Sequence, residues 1–513
     1  MTAQRLPLRY QAIVWVWAAL MLTAIFVQGR HAQIDRHVTS RLRFHAIPVA
    51  LSFMYHGRAH DYTAFMSIAG PFQLSTITVD QAIAYVIPRP PPADDPTYYW
   101  AADDRGMADY VIAAFALFGP AVASLYLFYF VVLGASVVLF LEDLGWHPLA
   151  AALLIFALGA VYTCTLVIPL GNLTLPIFEP GSLYEPRLIE LLCFVATLHL
   201  ALTPFIDAPW TPQRRAIVAG QAAILVLGFH ARSTVAWEFA FVAMSAAACW
   251  IWRRRSEPRA AASSMPRIVL TGGWPMLCLL VGFSLLKAYQ HTAYDPRYFR
   301  DMGARTIWHN ALMGFWLNDH LSEKYRLRVD DRVVVSAVRN YLRASNDPRL
   351  GPEWEDTNVM MSLGGHSVFN WFAYEESAGE FYRHIWRTDT QAMLHLYLID
   401  KPREIVRVVS KSTHPDPSLL QEVDDLGFRP FGLAALFLIA PGVLLLSRYG
   451  APFKALAAAG LVLLGCSIVP GLLFYPVVHT MLGAFATIAL MGHVLLAWGV
   501  SMALRRVHRP SRS

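Results

Sequence analysis

The stretch from Asp103 to Leu141, DDRGMADYVIAAFALFGPAVASLYLFYFVVLGASVVLFL, decides the class of this protein. Its later part, 114 to 141, holds no charged side chain, and ~20 apolar residues suffice for a helix to cross the hydrocarbon core of a bilayer. Its first part sets Asp103, Asp104 and Asp109 directly ahead of that apolar run. An acidic edge followed at once by a run of spanning length marks a membrane boundary, where the aligned peptide dipoles of a helix N-terminus favour carboxylates.

Apolar runs of similar length lie near 11 to 28, 149 to 169, 188 to 206, 216 to 231, 233 to 252, 268 to 288, 430 to 447, 455 to 475 and 478 to 503. The chain therefore reads as an all-α polytopic membrane protein of about ten transmembrane helices. Composition agrees: 56% of the 513 residues are hydrophobic and 15% are charged, against about 25% charged in soluble domains. The charge is unevenly spread. Residues 289 to 428 carry 16 Lys/Arg and 20 Asp/Glu, net −4, whereas the rest of the chain is net +10. Three regions follow: a membrane module over 1 to 288 with about seven spans and a first loop at 29 to 110, a mainly helical soluble segment over 289 to 428, and a second membrane module over 429 to 513 with about three spans.

Orientation comes from the short basic clusters, which cytoplasmic loops retain. Arg5 and Arg9, Arg214 and Arg215, Arg253 to Arg255, Arg448 with Lys454, and Arg505 to Arg512 all fall on one side of ten alternating spans. Both termini are then cytoplasmic, and 29 to 110 and 289 to 428 share the extracytoplasmic face. No small-residue cleavage site follows Phe26 and Val27, so the first run reads as a retained anchor. The five cysteines lie in apolar runs at spacings that fit no zinc or redox pattern, which removes a disulfide framework and a cysteine metal site.

In the first loop, Leu42 to Met54 has an apolar stripe broken by Arg43, His45 and Pro48, as expected of a helix lying on the membrane surface. Thr78 to Val86 suits another short helix, Pro88 to Pro96 a stiff strap, and Tyr98-Tyr99-Trp100 the headgroup level. In the second outer segment Asp330 to Arg343 and Glu375 to Asp400 read as helices, separated by the breakers of Asn346 to Pro352 and Gly364-Gly365.

Ionisable groups near the outer ends of spans are the first candidates for chemistry. Asp103 and Asp104, and Asp35 seven residues past the first span, could each take a proton from an acceptor hydroxyl or amine. Helix capping and a salt bridge to Arg36 or Arg30 are the plainer readings. Arg232, in an almost absent loop between two apolar runs, could grip a phosphate with its planar fork or snorkel to headgroups. Glu179 and Glu185 occupy a proline-rich outer loop that could face the same cavity. Trp308 and His309 are candidate substrate contacts in the soluble segment, although a lone histidine is more often structural. Nucleotide-binding loops, the His-Glu-x-x-His zinc motif and the Gly-x-Ser-x-Gly elbow are absent from the sequence, and the basic rims carry no interleaved aromatic face for nucleic acid.

The arrangement resembles the GT-C superfamily of membrane glycosyltransferases, which includes aminoarabinose and protein O-mannosyl transferases. The resemblance rests on an acidic outer first loop with surface helices, seven spans before a large outer segment, and spans after it. In motif it covers only Asp103-Asp104-Arg105-Gly106 with Asp109-Tyr110 and the run Ala114 to Pro120. It implies a GT-C-like fold and a bacterial inner-membrane enzyme that takes a sugar from a polyprenyl-phosphate-linked donor and passes it to an envelope lipid, glycan or protein. Membrane lipids are partners; nucleotide and nucleic acid are not. No cofactor is required, and a divalent metal is compatible but not indicated. The family's acidic residue often follows the first span closely, which favours Asp35, whereas the aspartate pair here closes the loop; both stay candidates. A transporter or flippase of lipid-linked or amphipathic substrates is the rival, disfavoured because the spans show little interior charge, with Glu190, Glu238 and Lys287 near their ends. A noncatalytic envelope-assembly protein is the third reading.

Overall fold

The computed structural model describes residues 5–33, 42–58, 79–91, 106–173, 189–256, 261–293, 307–348, 371–413, 429–450, 452–477 and 480–507. Among these residues every regular element is helical. Among the described residues six helices are long and apolar enough to cross a membrane: Leu8–Val27, Ala123–Leu144, Pro148–Thr165, Ser233–Arg255, Phe453–Leu473 and Leu482–Ala503. Large apolar side chains such as Leu8, Val131, Leu280, Leu285, Phe437, Leu444 and Leu461 stand exposed on the outside of the bundle. Water would penalise such a surface, and lipid would not. The chain is a helical membrane protein.

The centre of the bundle is α6 (Pro148–Leu173), which packs against α1 (Leu8–Gln33), α17 (Arg429–Tyr449) and α20 (Leu482–Val507). Small residues allow the close approach, as in other membrane bundles. A Cβ on Gly159 would lie 2.6 Å from Ile439 Cγ2, and one on Gly442 would lie 2.7 Å from the Phe156 ring. Around this core stand α5 (Val122–Leu144), α7 (Glu190–Leu202), α8 (Pro212–Ala231), α9 (Ala236–Ser256), α10 (Ala261–Ala293) and α18 (Phe453–Ser467), which α19 (Val469–Leu473) continues.

One end of the bundle is basic and tied together. The Leu6 amide donates to the Trp146 carbonyl at 2.9 Å, Arg5 lies over the Trp146 ring and Arg448 over Tyr10. Arg214 Nε meets Asp143 at 3.0 Å, and His199 Nε2 reaches the same carboxylate at 3.0 Å. All three side chains are buried, so the charges are matched where water is scarce.

At the opposite end lie α2 (Leu42–His56), α3 (Val79–Val86) and α4 (Gly106–Phe118), with α2 packed on both α3 and α4. Pro48 sits inside α2. The apolar run expected over 114 to 141 as one span is two helices. Gly119 turns with φ 85, Pro120 cannot donate to a continuing helix, and the chain reverses into α5. Tyr110 Oη donates to the Leu125 carbonyl across the turn.

The described part of 289 to 428 is a helical module: α11 (Ile307–Met313), α12 (Asp319–Tyr325), α13 (Asp331–Ala344), α14 (Trp371–Thr388), α15 (Thr390–His395) with a π turn to Asp400, and α16 (Lys401–Thr413). Its core is a stripe at helical spacing from α14, Tyr374, Ala378, Phe381 and Ile385, facing Val334, Val335, Val338 and Leu342 of α13. The helix expected over Glu375 to Asp400 breaks at Asp389. That carboxylate turns to bind Lys324 at 2.8 Å and His320 at 3.0 Å. The module meets the bundle through Lys401, whose Nζ donates to the carbonyls of Leu472 at 2.8 Å and Leu473 at 3.2 Å. Those are the carbonyls that the C-terminus of α19 leaves without helical partners.

Candidate functional site

The most organised polar chain at the module-bearing end joins three helices. Gly106 opens α4 against the C-terminus of α8, and a Cβ there would lie 1.9 Å from the His230 carbonyl oxygen. Glycine alone permits this contact. One turn later Asp109, in the first turn of α4, places Oδ2 at 2.8 Å from His230 Nε2. The other ring nitrogen of His230, Nδ1, lies 3.2 Å from Gln290 Nε2, and Gln290 Oε1 accepts from Lys287 Nζ at 2.9 Å. With the Gln290 amide donating, Nδ1 is the acceptor, and the imidazole proton points at Asp109. Tyr289 meets the ring edge-on. The His230 side chain is 7% exposed and that of Asp109 19%, so the carboxylate is more accessible than the imidazole. A carboxylate oriented by a histidine is equipped to accept a proton from a hydroxyl or amine.

Next along the chain, Arg232 ends α8 in an extended conformation, where the sequence placed it. Its guanidinium acts electrostatically on Glu190. Glu190, at the first residue of α7, is 1% exposed and accepts from Trp237 Nε1 at 3.2 Å and from the Gly483 amide at 3.0 Å. Glu238 is fully buried, accepts from the Thr197 hydroxyl and interacts with Glu190. The buried Tyr129 hydroxyl is within electrostatic reach of Glu238. The expectation of little interior charge is thereby corrected. These carboxylates stand near the ends of their apolar runs, yet groups of neighbouring helices, Trp237 and Gly483 for Glu190 and Thr197 for Glu238, enclose them.

Trp308 and His309 belong to the module's own packing. The Glu375 carboxylate accepts from both of their backbone amides, at 3.3 Å for His309, and His309 Nδ1 is bonded to the Tyr374 hydroxyl. Gly379 lies against the Trp308 indole, which also packs on Tyr382. These partners tie both residues into the module. Burial of the Glu375 carboxyl outweighs its amide donors and pushes it up to about 7.

Asp35, Asp103, Asp104, Glu179 and Glu185 lie outside the described residues. Sequence reading placed Asp109 beside the favoured pair but assigned it no partner. Its link to His230 spans 121 positions, and only the choice of glycine at 106 hinted that another backbone had to come close. Among the described residues no group of three or more His, Cys, Asp or Glu could hold a metal ion.

Comparison with protein-family models, with curated proteins and with solved structures returns no match to this chain.

Proposed function

We propose that this protein is an integral membrane glycosyltransferase of GT-C type, with ten spans and both termini in the cytoplasm of a bacterial cell. It would transfer a sugar from a polyprenyl phosphate carrier to an envelope acceptor on the outer face. The observation that carries the proposal is the convergence of Asp109, His230, Gln290 and Lys287 from three helices at the end of the bundle that bears the helical module. In this reading Asp109 takes the proton of the acceptor, with His230 orienting the carboxylate. Arg232 and Lys287 offset the charge that gathers on the departing phosphate, a developing charge that fixed cationic groups stabilise. Asp35, Asp103 and Asp104 remain candidates for the same base. The soluble module then covers the acceptor, and no nucleotide takes part on this face.

A second reading, a transporter of lipid-linked or amphipathic substrates, is favoured by one observation: the carboxylates of Glu190 and Glu238 are enclosed inside the bundle, a placement typical of ion and substrate pathways. Proteoliposomes loaded with a polyprenyl-phosphate-linked sugar and an acceptor extract separate the two. Free polyprenyl phosphate together with a glycosylated acceptor supports the enzyme. Movement of the intact lipid between leaflets with no covalent product supports transport and overturns the enzyme.

A further inference from the structure

Near the basic end, on the side of the bundle away from Asp109, an apolar slot of about 400 Å³ opens between α6, α7, α9, α18 and α20. Leu149, Phe205, Phe241, Trp252, Phe453 and Met491 are among its walls, and Ser245 supplies the one lining hydroxyl. A cavity so apolar offers water almost no hydrogen bonds.

Its length is set by the helices that wall it. At 1.5 Å per residue, the wall of α9 from Phe241 to Trp252 and that of α18 from Phe453 to Leu463 each run roughly 15 Å. Half of a ~30 Å hydrocarbon core is the same length. The slot therefore reaches from one membrane surface to about the midplane, the depth that an acyl chain of one leaflet occupies. The surface end is basic. Trp252 is followed by Arg253, Arg254 and Arg255, and Phe453 by Lys454. Arg253 Nη2 donates to the Pro204 carbonyl at 2.8 Å, which holds its guanidinium beside Phe205 at the mouth. Lys454, Arg254 and Arg255 are exposed.

We propose that this slot is a binding site for one anionic phospholipid, with an acyl chain between α9 and α18 and its phosphate held by Arg253 and Lys454. The site is independent of the chemistry proposed around Asp109. Its ligand fills the slot beside the direct contact between α9 and α18 and so extends the packing between them.

Native mass spectrometry of the delipidated full-length protein, titrated with dioleoyl phosphatidylglycerol or with dioleoyl phosphatidylcholine, tests this directly because the two lipids share their chains and differ in net charge. The wild type should retain one phosphatidylglycerol with a preference of roughly tenfold or more, the size expected of two basic contacts at a headgroup. The double variant Arg253→Gln/Lys454→Gln should lose the preference while still taking up lipid. Ala459→Phe, which fills the slot, should lose binding of both lipids. Gly460→Leu serves the same purpose if Ala459→Phe does not fold. Equal binding of the two lipids by wild type, or unchanged phosphatidylglycerol binding in a folded slot-filling variant, overturns the proposal.

Discussion

Asp109 and His230 are 121 positions apart in the chain, and their side chains meet at 2.8 Å where the N-terminus of α4 crosses the C-terminus of α8. The contact depends on Gly106, three residues earlier, because any side chain there would collide with the His230 carbonyl. Gly106→Ala should therefore push α4 away from α8 and lengthen the Asp109 to His230 bond. Overpacking of this kind costs about 1–3 kcal/mol. A lowered melting temperature in detergent, with activity reduced along with it, is the expected result; an unchanged melting curve would show that α4 is free to shift.

Arg232 is expected to bind the carrier phosphate. Arg232→Lys keeps the charge but loses the fork that meets two oxygens together, so affinity for polyprenyl phosphate should fall partly, and in Arg232→Ala strongly. Equal affinity of Arg232→Ala and wild type in a binding titration would make the residue an interfacial anchor.

Removing the cation from the buried network at the basic end should be among the most damaging single changes. Arg214→Met leaves Asp143 with His199 alone in a buried setting, and breaking a buried pair costs about 3–5 kcal/mol. The double variant Arg214→Met/Asp143→Leu should recover much of the loss. Thermal unfolding of wild type, Arg214→Met, Asp143→Leu and the double variant reads the cycle, and a double variant no better than Arg214→Met would count against a charge-matching role.

Two groups of the module give opposite pH signatures. Glu375 is pushed up to about 7 from 4.5 by burial, so between those values the folded chain holds a proton that the unfolded chain has released. Stability falls as pH rises through that window. Glu375→Gln has no such titration, and the melting temperature of wild type minus variant should decline from about pH 5 to about pH 8. A flat difference would mean that the carboxyl titrates normally.

Burial lowers Lys401 to about 7 from 10.5. Here the unfolded chain binds the additional proton, so stability rises with pH between those values. Measured against Lys401→Met, wild type should gain from about pH 7 to about pH 9.5. A difference that shrinks over this range would contradict the burial of Lys401 against α19.

The helical character of the bundle was open to reading because each apolar run carries its own length and each loop its own charge. The helices across Pro48 and over α13 were legible because the propensity of a short run is local. The break at Gly119 was not read, since the apolar run continues across it and hydropathy does not register a reversal. The enclosure of Glu190 and Glu238 was also hidden, because it depends on partners far away in the chain, Trp237 and Gly483 for one and Thr197 for the other. The Asp109 partnership required two helix ends to meet, and no spacing rule relates positions 109 and 230.

Turnover by Asp109→Asn tests the central claim most directly. The substitution keeps the size of the side chain and an oxygen to accept from His230 but removes the basicity. Loss of a general base typically slows a reaction ~10²- to 10⁴-fold. With purified protein, a polyprenyl-phosphate-linked sugar and an acceptor extract, acceptor-dependent release of the free carrier should fall by that factor while the variant melts within a few degrees of wild type. A folded Asp109→Asn protein that releases carrier at the wild-type rate would contradict the assignment of this carboxylate as the base.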